Sequence, residues 1–160
     1  MKPNSFAEKE RYKMSQFDAD AFLNQEVDAN FESDFTPIPE GEFEAQIFKI
    51  AVATFKDKET QEEKPFLKLS WRINDPEVIE STGMDNPTVM QTVFLDFENG
   101  TLLEGTNKNI MLGKLREIGD LEANPFRMTD LEGISAMVKV KHRIMDDGRP
   151  AAEVKAVTEI

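Results

Sequence analysis

The chain has 160 residues, no cysteine and a formal net charge of −12, with 39% hydrophobic and 31% charged residues. That length and apolar content suit one domain plus an arm. The missing thiols exclude disulfides, thiolate nucleophiles and cysteine zinc sites. No stretch approaches the ~18 apolar residues of a membrane helix. The start, Met1-Lys2-Pro3-Asn4-Ser5, leads into charge, so no signal peptide or membrane partner is expected and the compartment is the cytoplasm.

Residues 1–40 hold 4 Lys/Arg against 9 Asp/Glu, and residues 41–160 hold 15 against 22. Negative charge is therefore densest in the first quarter. Bulk acidity argues against a nucleic-acid coat built on total charge. A groove lined with cations stays open, because the field near a surface follows local charge within a Debye length of ~8–10 Å. Residues 1–36 read as an acidic N-terminal arm. One short helix is expected there, with Ser15 as its cap, Asp18 three residues on, and Phe17, Ala21 and Phe22 as an apolar stripe. Three readings of the arm stay open: a solvated tail, a segment that docks a basic partner, or a cover for a basic face of the same chain. Thr36-Pro37-Ile38-Pro39-Glu40-Gly41 forms an extended entry to the body, residues 37–160.

In the body, Phe43, Ala45 and Ile47 alternate with Glu42, Glu44 and Gln46, which reads as a half-buried strand. The apolar phase then flips to Phe48, Ile50 and Val52, as a bulge or sharp bend would produce. Residues 55–64 read as a polar connector. Pro65 opens strand two, with Leu67, Leu69, Trp71 and Ile73 on one face and Phe66, Lys68, Ser70 and Arg72 on the other. Asn74 to Pro87 reads as a loop with a turn of helix near Val78 and Ile79. Strand three spans Thr88 to Phe97, with Val89, Val93, Leu95 and Phe97 as its core set, and Glu98-Asn99-Gly100 ends it. A helix is expected over Asn107 to Ile118, capped by Thr106 or Asn107, striped by Ile110, Met111, Leu115 and Ile118, and stopped by Gly119. Strand four, Met137 to Ile144, puts Lys139, Lys141 and Arg143 on one face and Val138, Val140 and Ile144 on the other. Asp146-Asp147-Gly148 signals a hairpin turn, and Ala151 to Val157 is strand five. The order strand-strand-strand-helix-strand-strand predicts a mainly β fold with one helix, a five-stranded OB-type barrel.

In such a barrel the ligand face lies largely on strands two and three, closed over by the loops joining strands one to two and four to five. Phe66 between Lys68 and Arg72 suits single-stranded nucleic acid, since a base stacks on the ring and cations meet phosphates. Phe55, Lys56, Lys58 and Lys64 on the connector, Phe94 on strand three, Lys139, Lys141 and Arg143 on strand four, and Arg149 after it complete the candidate set. Glu59, Glu62 and Glu63 oppose the connector's cations, and a solvated face of paired charges is the bland alternative.

Other chemistry has little support. His142, the single histidine, lies in phase with Val138 and Val140 and reads as a packed or rim residue without catalytic partners. Gly105 to Lys114 fails as a phosphate loop, because Leu115 stands where Ser or Thr should meet magnesium. Asp18-Ala19-Asp20 reads as a solvated helix start and Asp146-Asp147 as a turn. The chain is expected to be no enzyme and to need no metal or cofactor.

Four segments carry a family resemblance. They are Gly41-Glu42-Phe43-Glu44-Ala45, Val93-Phe94-Leu95-Asp96, Asn109 to Arg116, and Leu131-Glu132-Gly133 followed by Val138 to His142. Together, over about residues 15–158, the chain resembles a group of small bacteriophage proteins regarded as OB-fold single-stranded DNA-binding proteins of replication and recombination. The resemblance implies sequence-nonspecific single-stranded DNA binding in a host cell's cytoplasm. Implied partners are single-stranded DNA, phage replication or recombination proteins, and a second copy of the chain. Many proteins of this function end in an acidic recruiting tail. Here Val157-Thr158-Glu159-Ile160 is no such tail and the acidity sits in the arm. A protein-binding adaptor that works through that arm is the alternative function.

Overall fold

A computed structural model describes residues 17–31, 36–123 and 125–160. The chain divides into two compact units, Met1–Asp34 and Phe35–Ile160. In the first, helix α1 spans Ala19–Leu23. Asp18 caps it, its carboxylate accepting from the Ala21 N–H at 3.1 Å, as an N-cap side chain does for an unpaired first-turn donor. The expected cap, Ser15, lies outside the described residues. The Phe17 and Phe22 rings stand 5.1 Å apart, and both stay mostly exposed.

The second unit is mainly β. Its main strands are β1 (Gly41–Lys56), β2 (Glu63–Ile73), β3 (Thr88–Phe94), β6 (Ser135–Ile144) and β7 (Pro150–Thr158). Between β3 and β6 lie a two-residue-strand hairpin, β4 (Phe97–Glu98) with β5 (Thr101–Leu102), helix α3 (Ile110–Ile118) and a 3-10 turn at Met128–Leu131. Helix α2 (Pro76–Thr82) joins β2 to β3. Pairing runs β1-β2-β3-β7-β6 and returns to β1. All contacts are antiparallel except β3 with β7, which is parallel and centred on Met90 and Glu153.

The sixteen-residue β1 pairs with β6 through Gln46 and with β2 from Ala45 to Lys56. Its register slips between Ile47 and Lys49. Phe48 is the extra residue of a bulge, placed where β1 leaves β6 and continues with β2 alone. A bulge bends a strand and raises its twist, which lets one strand serve both neighbours. The apolar phase flips as the sequence predicts, but Phe48 does not join the core. Ile50 packs against it, while Val52 is 66% exposed in an apolar cleft of about 420 Å³ with Leu67, Phe97 and Met128.

Inward residues from every main strand form one buried core with Leu112 and Leu115 of α3, Leu131 and Ile134. Trp71 is fully buried, and its indole N–H donates to the buried Gln91 side-chain oxygen at 2.8 Å. The helix stripe differs from expectation. Ile110, the first residue of α3, is 65% exposed and Leu112 is buried; α3 starts at Ile110, not Asn107. Asn109 holds the entry. Its backbone N–H donates to the Asp96 carboxylate, and its side chain binds the Asp96 N–H, each at 2.7 Å. The Val93-Phe94-Leu95-Asp96 segment therefore ends β3 at Phe94 and ties it to α3, so Leu95 and Phe97 lie beyond the strand that was expected to hold them.

Gly119 does stop α3, but for a different reason than a left-handed cap. Its φ is −81°; Asp120 takes the left-handed conformation, with φ 56°. The Leu121 N–H reaches the Arg116 carbonyl at 2.9 Å, closing a Schellman end. Gly119 is needed for clearance, since a Cβ there would stand 2.5 Å from Ile134 Cδ1 and 2.9 Å from its Cγ1. Ile134 is buried and β-branched, so it has little room to turn aside. Gly119→Ala is expected to cost about 1–3 kcal/mol through overpacking. A thermal melt checks this, and an unchanged midpoint would refute it.

Candidate nucleic-acid interface

The outer face of β1, β2 and β3 follows from the register. Opposed residues point to one side of a sheet, so each β2 residue fixes a row. Gln46, Arg72 and Thr88 form the first row; Lys49, Ser70 and Met90 the second. Ala51, Lys68 and Thr92 follow, then Ala53, Phe66 and Phe94, and last Phe55 with Lys64. Phe48 sits in the bulge beside the first two rows.

At one end of this face three rings meet. Phe66 and Phe94 lie 5.4 Å apart, Phe55 and Phe94 5.9 Å, and Phe55 and Phe66 6.2 Å, all tilted or edge-on. These are attractive aromatic geometries. Phe94 remains 67% exposed, so its ring offers an open flat face. Lys68 Nζ lies 5.8 Å from the Phe66 centroid. At the other end the Arg72 guanidinium lies 4.4 Å from the Phe48 centroid. Ser70, expected on the exposed side, is on the outward phase but covered, its hydroxyl 3.3 Å from Met90 Sδ.

Residues 46–55, 64–72 and 88–94, the strand segments that build this face, hold no Asp or Glu in a chain with 31 of them. Ala51 and Ala53 keep the lane beside Lys68 and Phe66 shallow. The face can take flat apolar rings at one end and anionic groups along Lys68, Lys49 and Arg72. Among the described residues none of these three cations makes an ion pair.

The connector proves shorter than expected. β1 runs to Lys56 and β2 opens at Glu63, so Phe55 and Lys64 are paired strand residues and Lys56 opposes Glu63. Lys56 alternates to the side away from Phe55. Lys64 is bound to Asp57 at 3.2 Å, while Lys58 stands on the exposed turn beside Glu59. Asp57 organises that turn. Its carboxylate accepts from the Glu59 N–H at 2.8 Å and the Thr60 N–H at 3.2 Å. The Thr60 and Glu59 N–H groups, then Lys64, hold its carboxyl below the ordinary 3.8. Its contribution to the turn is thus complete above that ordinary value and is lost as pH falls through the lower folded pKa. The amide NMR shifts of Glu59 and Thr60 are expected to titrate together with a midpoint below 3.8. Asp57→Asn should abolish the titration; a midpoint above the ordinary value would refute it.

The basic strand sits elsewhere. β6 adjoins β1 and β7 and never β2. Lys139 opposes Glu42, and Lys141 opposes Glu153. Arg143 approaches Glu153 at 3.6 Å, which Lys155 also binds at 2.8 Å. Arg149 pairs with Asp147 at 3.7 Å. Every cation of this row or its turn therefore has acidic company, unlike Lys68 and Arg72 of β2. Ile144, expected on the core side of the strand, is 69% exposed. His142 latches the body's entry segment: its Nε2 lies 2.7 Å from the Ile38 carbonyl, and its backbone N–H donates to Glu40 at 2.8 Å. That N–H holds the Glu40 carboxyl below its usual range.

The structure thus brings Phe55, Phe66, Phe94, Lys68 and Arg72 onto one face, and leaves Lys139, Lys141, Arg143 and Arg149 off it. Phe48, expected from sequence in the apolar core phase, and Lys49, not named as a site residue, join the face. The phase flip after Ile47 was the available signal, because it turns Lys49 outward beside Ser70. Among the described residues no cluster of three or more His, Asp and Glu is arranged to hold a metal, and no helix is long and apolar enough to cross a membrane. Comparison with protein-family models and with curated proteins returns no match.

Proposed function

We propose that this chain is a non-enzymatic, sequence-nonspecific single-stranded DNA-binding protein built on an OB-type barrel. The order 1-2-3-5-4 of its five main strands, closing onto the first with a parallel third-to-fifth contact, and a helix between the third and fourth, supports the OB assignment. The observation that carries the function is the part of the outer face built by residues 46–55, 64–72 and 88–94, free of Asp and Glu in a chain of net charge −12, with a phenylalanine cluster whose Phe94 is 67% exposed and, among the described residues, no ion pair at Lys49, Lys68 or Arg72. Nonspecific single-strand binders combine such stacking rings with a basic track, since every base offers a flat face. Work in bacteriophage DNA replication or recombination is the setting that the family resemblance supports.

A second reading, a protein-binding adaptor, draws on the arm. Phe17, Phe22, Leu23, Val27 and Phe31 are all exposed, and residues 17–31 carry four carboxylates and no cation. Fluorescence anisotropy with labelled oligo-dT at low salt separates the readings. The full chain should bind, and neutralising Asp18, Asp20, Glu26 and Asp28 should leave binding equal or tighter. Absence of binding at low salt would overturn the DNA reading.

A further inference from the structure

Building on single-strand binding at this face, we propose that Arg72 stacked on Phe48 is a second nucleobase platform, separate from the Phe55/Phe66/Phe94 cluster. Phe48 is the unpaired residue of the β1 bulge, and bulges re-aim side chains at functional edges. Its ring is 39% exposed. The guanidinium 4.4 Å from its centroid lies within cation–π contact distance. A guanidinium presents a planar surface to a base and keeps its charge for a phosphate, which an ammonium cannot do. Lys49 follows Phe48 directly and faces outward opposite Ser70, which adds a cation beside the platform. Past the Gln46–Arg72 row, a cleft of about 350 Å³ that Arg72 itself lines also holds Glu44 and Asp85. An anionic strand that reaches Arg72 is thereby turned toward Lys49 and Lys68.

Arg72 lies six residues from Phe66 along β2, roughly 20 Å at ~3.3 Å per residue. A strand of about four nucleotides, the short end of the range for one OB domain, engages the phenylalanine cluster alone, whereas a twelve-nucleotide strand spans both platforms. The test uses the full chain with dT4 and dT12 at low salt, for wild type and for Phe48→Leu, Phe48→Tyr and Arg72→Lys. Phe48→Leu is expected to weaken dT12 roughly 5- to 150-fold, the span of one lost base stack, and to leave dT4 unchanged. Phe48→Tyr keeps the ring and should retain wild-type dT12 affinity. Arg72→Lys should lose affinity for dT12 while keeping the same salt dependence, because charge is retained and the plane is lost. If Phe48→Leu binds dT12 as wild type does, the second platform is overturned and single-strand binding stands. If wild type fails to bind dT12, both are overturned.

Discussion

Replacing Phe66 and Phe94 together by alanine is expected to weaken oligo-dT binding on the order of a hundredfold, from a loss of ~1–3 kcal/mol per base stack at ~1.4 kcal/mol per tenfold. The two rings lie 5.4 Å apart on the outside of the closed sheet, and neither belongs to the buried core. The fold should survive the change, with a cost near the ~0.5–1.5 kcal/mol of a lost aromatic pair. Lys139→Ala with Lys141→Ala is the matched control. Those cations face Glu42 and Glu153 across the register, so their loss should change affinity little. Anisotropy titrations of both double variants decide between the faces. A larger loss from the β6 pair would move the site off β2 and β3.

The largest stability effect is expected at Trp71. Its side chain is fully buried, and Trp71→Ala should cost about 3–5 kcal/mol, a large part of the ~5–15 kcal/mol that holds a typical domain. The polar half of the site is separable. Gln91→Leu leaves the indole N–H without its 2.8 Å acceptor and should cost about 1–3 kcal/mol. Adding Trp71→Phe removes the orphaned donor, so the double variant should lose less than the sum of the two singles. Urea unfolding midpoints measure all four proteins. Additive losses would mean that the hydrogen bond contributes no coupling.

Period-two patterning made the main strands legible, since Leu67, Leu69, Trp71 and Ile73 face inward as the alternation predicts. The β1 bulge was legible too, from the change of apolar phase after Ile47. Which neighbour each strand would meet was not. Lys139, Lys141 and Arg143 form a convincing basic row by themselves, but their meaning depends on Glu42 and Glu153, distant in sequence and brought opposite by the closure of β6 onto β1 and β7. Ends of elements were blurred where side chains rather than patterning set them. Asp57 folds the turn that shortens the connector, Asn109 delays the helix, and Asp75 with Pro76 fixes where the helical turn expected near Val78 and Ile79 begins. The helix starts three residues later than expected, so Ile110 is its first residue and lies exposed. The absence of Asp and Glu from residues 46–55, 64–72 and 88–94 was present in the sequence all along. It acquires meaning only when the register sets those segments side by side.

The most direct test is the salt dependence of oligo-dT binding compared with a duplex of the same length. Three cations on the face, Lys49, Lys68 and Arg72, without ion pairs among the described residues, predict a slope of log K against log salt of roughly −2, at about −0.7 per phosphate on a single strand. The duplex should bind far more weakly, because its paired bases cannot reach the phenylalanine cluster. Equal affinity for both, or no binding of oligo-dT at low salt, would contradict a stacking face on β1, β2 and β3.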